Sequence, residues 1–109
     1  MNIPKRYSEM TEHELRQEIG MLKEKAAKAE QLGMVNECEV LARKIAMARA
    51  YMMDMNDFQV GETYGLTEEP GVSFTITYFN GVFAWGYRGN NKEEEIGIPI
   101  SLLEKREKQ

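Results

Sequence analysis

Residues 73–88 read Ser73-Phe-Thr-Ile-Thr-Tyr-Phe-Asn-Gly-Val-Phe-Ala-Trp-Gly-Tyr-Arg88. Asn80-Gly81 stands between two alternating runs, the pattern of a β-hairpin closed by a two-residue turn. A type I′ turn needs positive φ at both central residues, and Asn and Gly adopt it with the least steric penalty. With those two residues as the loop, Phe79 faces Val82, Tyr78 faces Phe83, Thr77 faces Ala84, Ile76 faces Trp85, Thr75 faces Gly86 and Phe74 faces Tyr87. Alternation then gathers Phe74, Ile76, Tyr78, Phe83, Trp85 and Tyr87 on one face. Thr75, Thr77, Ala84 and Gly86 take the other, with Phe79 and Val82 near the turn. A face so rich in aromatic rings has to be covered.

The segments around the hairpin supply more strands. Phe58, Val60, Tyr64 and Leu66 form an expected first strand, with Gly61 marking a bend or bulge. Glu68-Glu69-Pro70-Gly71 reads as a type II turn into the hairpin. Gly89 to Glu95 is a solvated loop whose charge run serves solubility. Ile96, Ile98 and Ile100 alternate in a last strand, and Pro99, which cannot donate to a ladder, makes it an edge strand or a strand that breaks there. Ser101 with Glu104 suggests a short terminal helical turn before a frayed tail over 104–109. Several short strands with tight turns and no intervening helix match a small SH3-like barrel.

Upstream the period is helical. Thr11 with Glu14 makes a capping box, and Met10 with Leu15 a hydrophobic staple. Leu15, Ile19, Leu22, Ala26 and Ala29 then recur at alternating four- and three-residue spacing, the seam of a helix over 11–33 that ends at Gly33. Asn36 with Glu39 suggests a second cap, and Val35 with Val40 a second staple. Cys38, Leu41, Ile45, Ala48 and Met52 form the second seam. So short a connection makes the two helices an antiparallel hairpin. Val40, Met47, Tyr51 and Met53 lie off the seam and are expected to meet the aromatic sheet, although a self-association face, and so a homodimer, suits the same pattern. The expected fold is therefore α+β, with a helical hairpin over 1–57 packed on a small SH3-like β-barrel over 58–109.

Composition narrows the function. The 109 residues carry a net charge of −4, and Cys38 is the single cysteine. Residues 1–57 hold nine Lys/Arg against ten Asp/Glu, and residues 58–109 hold five against eight. Nucleic-acid binding depends on a basic face to release phosphate counterions, and neither half supplies one. No run is long enough to span a bilayer, and the first residues lack a signal-peptide core, so the expected location is cytoplasmic with no membrane partner. His13, between Glu12 and Glu14, has no nucleophile or pocket beside it, and Cys38 sits on an apolar seam flanked by Glu37 and Glu39, which oppose a reactive thiolate. Glu93, Glu94 and Glu95 are adjacent on a loop and make a poor metal cage. No catalytic residue, metal site or cofactor is expected, and the chain reads as non-enzymatic.

Four segments carry a resemblance: Lys5-Arg-Tyr-Ser-Glu-Met-Thr-Glu-His-Glu-Leu15, Glu24-Lys-Ala-Ala-Lys-Ala-Glu30, Phe58-Gln-Val-Gly-Glu-Thr-Tyr64 and Phe74 through Arg88. Together they resemble the YfhH-like family of small uncharacterised proteins from Bacillus-type bacteria, over essentially the whole chain. The resemblance implies a helical hairpin followed by an SH3-like barrel and brings with it the label of transcriptional regulator. It implies no catalytic residues.

Two functional expectations follow. The first is an interaction module that holds another protein through the barrel's aromatic edge, with Tyr64, Trp85, Tyr87 and Arg88 as candidate contacts, or through the hairpin's outer face. The same rings read equally as barrel core. The second is a nucleic-acid-associated regulator that sets Lys23, Lys25, Lys28, Arg43 and Lys44 against phosphates.

Overall fold

The computed structural model describes residues 5–105. The chain divides into a helical unit up to Met52 and a sheet unit from Met53. In the helical unit a 3-10 turn at Tyr7–Glu9 leads into helix α1, Glu12–Gln31. The capping box forms as the sequence requires: Glu14 N–H donates to Thr11 Oγ1 at 3.1 Å, and Thr11 N–H donates to Glu14 Oε1 at 3.0 Å. The Thr11 backbone donor, together with the Lys5 ammonium, holds the Glu14 carboxyl below its ordinary range. Gly33, at φ 71°, ends the helix in a Schellman motif, with Met34 N–H donating to Ala29 O and Gly33 N–H to Glu30 O.

Helix α2, Val35–Ala50, starts one residue before the expected cap at Asn36. The Schellman motif turns the chain straight into it, so Met34 takes the cap position with no side-chain bond. Val35 and Val40 are both exposed, and the second staple is absent. Leu15 and Ile19 pack with Ala48 and the half-buried Tyr51 and Met52, while Leu22 and Ala29 pack with Leu41 and Cys38. The start of α1 thus meets the end of α2, which makes the pair an antiparallel hairpin along the seams that periodicity picks out.

The sheet unit opens with a 3-10 turn at Met55–Asp57, capped by Asp54 Oδ1 on Asn56 N–H at 2.9 Å. Five antiparallel strands follow: β1 Thr63–Leu66, β2 Glu69–Asn80, β3 Phe83–Arg88, β4 Ile96–Pro99 and β5 Leu103–Glu104. Their order across the sheet is β4-β3-β2-β1-β5. Strands β4 and β5 are opposite edges, yet only the 3-10 turn Ile100–Leu102 joins them. Four strand spacings span about 19 Å in a flat sheet, and four Cα steps reach at most about 15 Å. The sheet therefore curls into a half-barrel. Ile100 N–H donates to Val82 O at 3.0 Å and Thr67 N–H to Leu102 O at 2.9 Å, which ties the connecting turn to both hairpin turns.

Three local expectations are corrected. The β1–β2 turn is Thr67-Glu68, because Leu66 pairs with Glu69, and Pro70-Gly71 lies in an irregular stretch of β2 with Gly71 at φ 87°. The terminal helical turn comes one residue earlier than Ser101 and is followed by a short strand. Phe58 precedes the first strand, which begins only at Thr63, although Gly61 does bend the chain at φ 89° and its N–H bonds Ile76 O at 2.8 Å. The expected tail beyond Lys105 lies outside the described residues.

The largest correction concerns the central hairpin. Asn80 pairs with Phe83, so the loop is Gly81-Val82; Gly81 has φ 59° and no non-glycine residue among the described residues has positive φ. Glycine first and a negative φ second is the type II′ arrangement, which relieves Asn80 of the strained conformation. Farther along, Ile76 pairs with Gly86 but Tyr78 pairs with Trp85. Thr77 is the extra residue of a β-bulge, and beyond it the alternation of β2 changes phase. Phe74, Ile76, Ala84 and Val82 form one buried face with Tyr64 and Leu66. Tyr78, Phe83, Trp85 and Tyr87 are left on the other.

Candidate functional site

The outer face of β2, β3 and β4 is built around the bulge. Tyr78 and Trp85 are direct cross-strand partners, and their rings stack with centroids 5.9 Å apart and planes 4° apart. Offset parallel stacking suits the ring quadrupoles. Tyr78 remains 43% exposed, while Phe83, Trp85 and Tyr87 are half-buried. On the far side of Trp85, its register partner in β4 is Gly97. A Cβ at Gly97 would lie 2.4 Å from Trp85 Cε2, so the missing side chain is what lets the indole lie against the β4 backbone. Gly97→Ala is expected to cost about 1–2 kcal/mol and to displace the indole from Tyr78. Chemical denaturation and a shift in the emission of Trp85 check both effects.

Glu95 completes this surface. It is two residues before Gly97, on the same face, and its side chain crosses β3 to reach β2. Thr77 Oγ1 lies 2.6 Å from Glu95 Oε2 and 3.0 Å from Trp85 O, so one hydroxyl proton serves two acceptors. The shorter, charge-assisted bond to the carboxylate is the stronger. No lysine or arginine among the described residues forms an ion pair with Glu95. The bulge residue thus holds a carboxylate beside the exposed rings.

The sequence-derived candidates separate. Trp85 and Tyr87 lie on this outer face. Tyr64 does not: it is buried, its ring packs edge-on against Phe58 at 5.3 Å, and its hydroxyl accepts the Gln59 N–H at 2.8 Å. Its polar atom is satisfied inside the sheet unit rather than at an edge, which makes it a core residue. Arg88 forms a forked ion pair with Glu69, through Nε to Oε1 and Nη2 to Oε2. Its guanidinium already has an anionic partner.

Sequence reasoning misses Tyr78 and Glu95: plain alternation puts Tyr78 on the covered face, and Glu95 reads as part of a solubility run. Gly86, a lone glycine inside an alternating strand, is the signal that points to the bulge exposing Tyr78.

Lys23, Lys25, Lys28, Arg43 and Lys44 are all exposed. At about 100° per residue, Lys23 and Lys25 fall on nearly opposite sides of α1. The exposed Glu24 and Glu30 alternate with them, and Glu37 and Glu39 stand on α2 with Arg43 and Lys44. These cations form no continuous strip. His13 is exposed, and the half-buried Cys38 directs its thiol at Ala26 O, 3.9 Å away. At the helix connection Leu32 is exposed, and Met34 and Val35, also exposed, line a shallow concavity with Gly33, Asn36 and Glu37. No helix among the described residues is long and apolar enough to cross a membrane.

A family model described as "Protein of unknown function (DUF1811)" matches residues 5–104. The chain is also 54% identical over 103 residues to the uncharacterized protein YfhH of Bacillus subtilis (strain 168), an alignment that covers 94% of this chain and 98% of that protein.

Proposed function

The chain belongs to the DUF1811 family, and we propose that it is a non-enzymatic interaction module that holds another protein against the aromatic outer face of β2, β3 and β4. The observation that carries this reading is the stacked Tyr78–Trp85 pair, which leaves Tyr78 outside the core with 43% of its surface exposed. Aromatic side chains that offer a rigid apolar plane with a polar tip are favoured anchors of protein contacts. Trp85, one of the pair, and Tyr87 on the same face are the contacts this reading gives the partner. The curled five-stranded sheet is read as an SH3-like half-barrel, in which one 3-10 turn returns the last strand to the first.

Capture by the tagged full chain tests the module. Wild-type protein is expected to retain a defined partner at constant stoichiometry. Tyr78→Ala, which removes an exposed ring, is expected to lose it about tenfold or more while the melting temperature holds. Retention indifferent to both Tyr78→Ala and Trp85→Phe would refute the reading. Nucleic acid held at about 50 mM salt and released near 200 mM would replace it with the regulator.

A further inference from the structure

We infer that the partner presents an arginine side chain, and that Trp85, Tyr78 and the carboxylate of Glu95 form its receptor. The inference rests on the aromatic outer face being the docking surface and adds the chemistry of what docks. With the Trp85 indole stacked on Tyr78 and lying against Gly97, the ring face left open is that of the exposed Tyr78, whose negative quadrupole attracts a cation lying over it. Glu95 brings a full negative charge to the same side of the sheet, held there by Thr77 Oγ1 at 2.6 Å. That bond engages one oxygen, and no cation of the described residues pairs with the carboxylate. Glu93 and Glu94 precede it on the exposed β3–β4 loop and add to the local negative potential.

A planar guanidinium matches this arrangement better than an ammonium. Its face stacks on a ring while its edge N–H groups remain free to donate to a carboxylate beside that ring. A phosphate-bearing partner meets the opposite condition, because the carboxylate repels it. The acidic balance of residues 58–109, five Lys/Arg against eight Asp/Glu, points the same way.

Trp85 is the single tryptophan, so its emission reports the site directly. The test titrates the full chain with a capped tetra-arginine peptide and with the tetra-citrulline peptide, which keeps the shape and removes the charge. The arginine peptide is expected to change Trp85 emission saturably, and the citrulline peptide is not. Glu95→Gln and Tyr78→Ala are each expected to weaken binding about fivefold, as for a half-exposed charge or cation–π contact. Glu24→Gln on α1, which removes an equal charge elsewhere, is expected to leave binding unchanged.

Equal response to citrulline overturns the inference, as does equal weakening by Glu24→Gln or no saturable response to arginine. The two readings fail separately. Partner capture lost in Tyr78→Ala but intact in Glu95→Gln keeps the docking face and rejects the arginine receptor. Capture that survives both Tyr78→Ala and Trp85→Phe rejects the docking face itself.

Discussion

Gly86→Ala is expected to destabilise the sheet unit by about 3 kcal/mol, the upper end for overpacking, and to lower its melting temperature by roughly 15 °C. A Cβ at Gly86 would stand 1.8 Å from Thr75 O and 2.8 Å from Thr75 C. Both atoms are backbone, so no rotamer change relieves the clash. The two strands have to part at the point where Ile76 pairs with Gly86, next to the Thr77 bulge. That separation disturbs the register on both sides and opens the buried face carrying Phe74, Ile76 and Ala84. Thermal unfolding followed by Trp85 emission measures the effect on this unit. An unchanged midpoint would show that the bulge lets β2 and β3 separate freely, and the close approach would then have no structural consequence.

Phe74→Ala is expected to cost about 3–5 kcal/mol, against less than about 1 kcal/mol for Tyr78→Ala. The contrast tests the bulge. Phe74 and Tyr78 are four residues apart in one strand, so plain alternation puts both rings on one face. In the structure Phe74 is fully buried, between its pairing neighbours Tyr64 and Arg88, and Tyr78 is exposed. Deleting the first ring leaves a cavity in a small core; deleting the second removes one stacking contact with Trp85. Urea unfolding of both variants separates the cases, and comparable losses would mean that Tyr78 belongs to the core after all.

The helical unit was almost fully legible in the sequence. Thr11 with Glu14, the two apolar seams and Gly33 each act within a few residues of themselves, and each appears where its pattern puts it. The departures are also local: α2 begins at Val35 because the turn at Gly33 leads directly into it. In the sheet unit, the existence of the hairpin, the bend at Gly61 and the edge position of β4 were readable. The register was not. Asn80-Gly81 is a strong turn signal, but Gly81-Val82 buries Val82 and keeps both Asn80 and Val82 out of positive φ.

The candidate site was legible in its residue types and not in its membership. Trp85 and Tyr87 read equally as core or edge and stand half-buried on the outer face of β3, whereas Tyr64 finds a hydroxyl partner inside the unit, and Arg88 is engaged by Glu69 from another part of β2. Glu95 looked like one charge in a run. It gained a place in the site only because β4 lies next to β3, within reach of Thr77 across the strand.

What the sequence by itself determined was the helical hairpin and the presence of four of the five strands, since caps, turns and periodicity depend on neighbours along the chain. The tertiary structure alone decided which rings are buried and which are presented. One extra residue in β2 changes the phase of every side chain beyond it, and its position follows from how closely Gly86 and Gly97 let neighbouring strands and rings approach. Such contacts between distant residues leave no periodic trace in the chain.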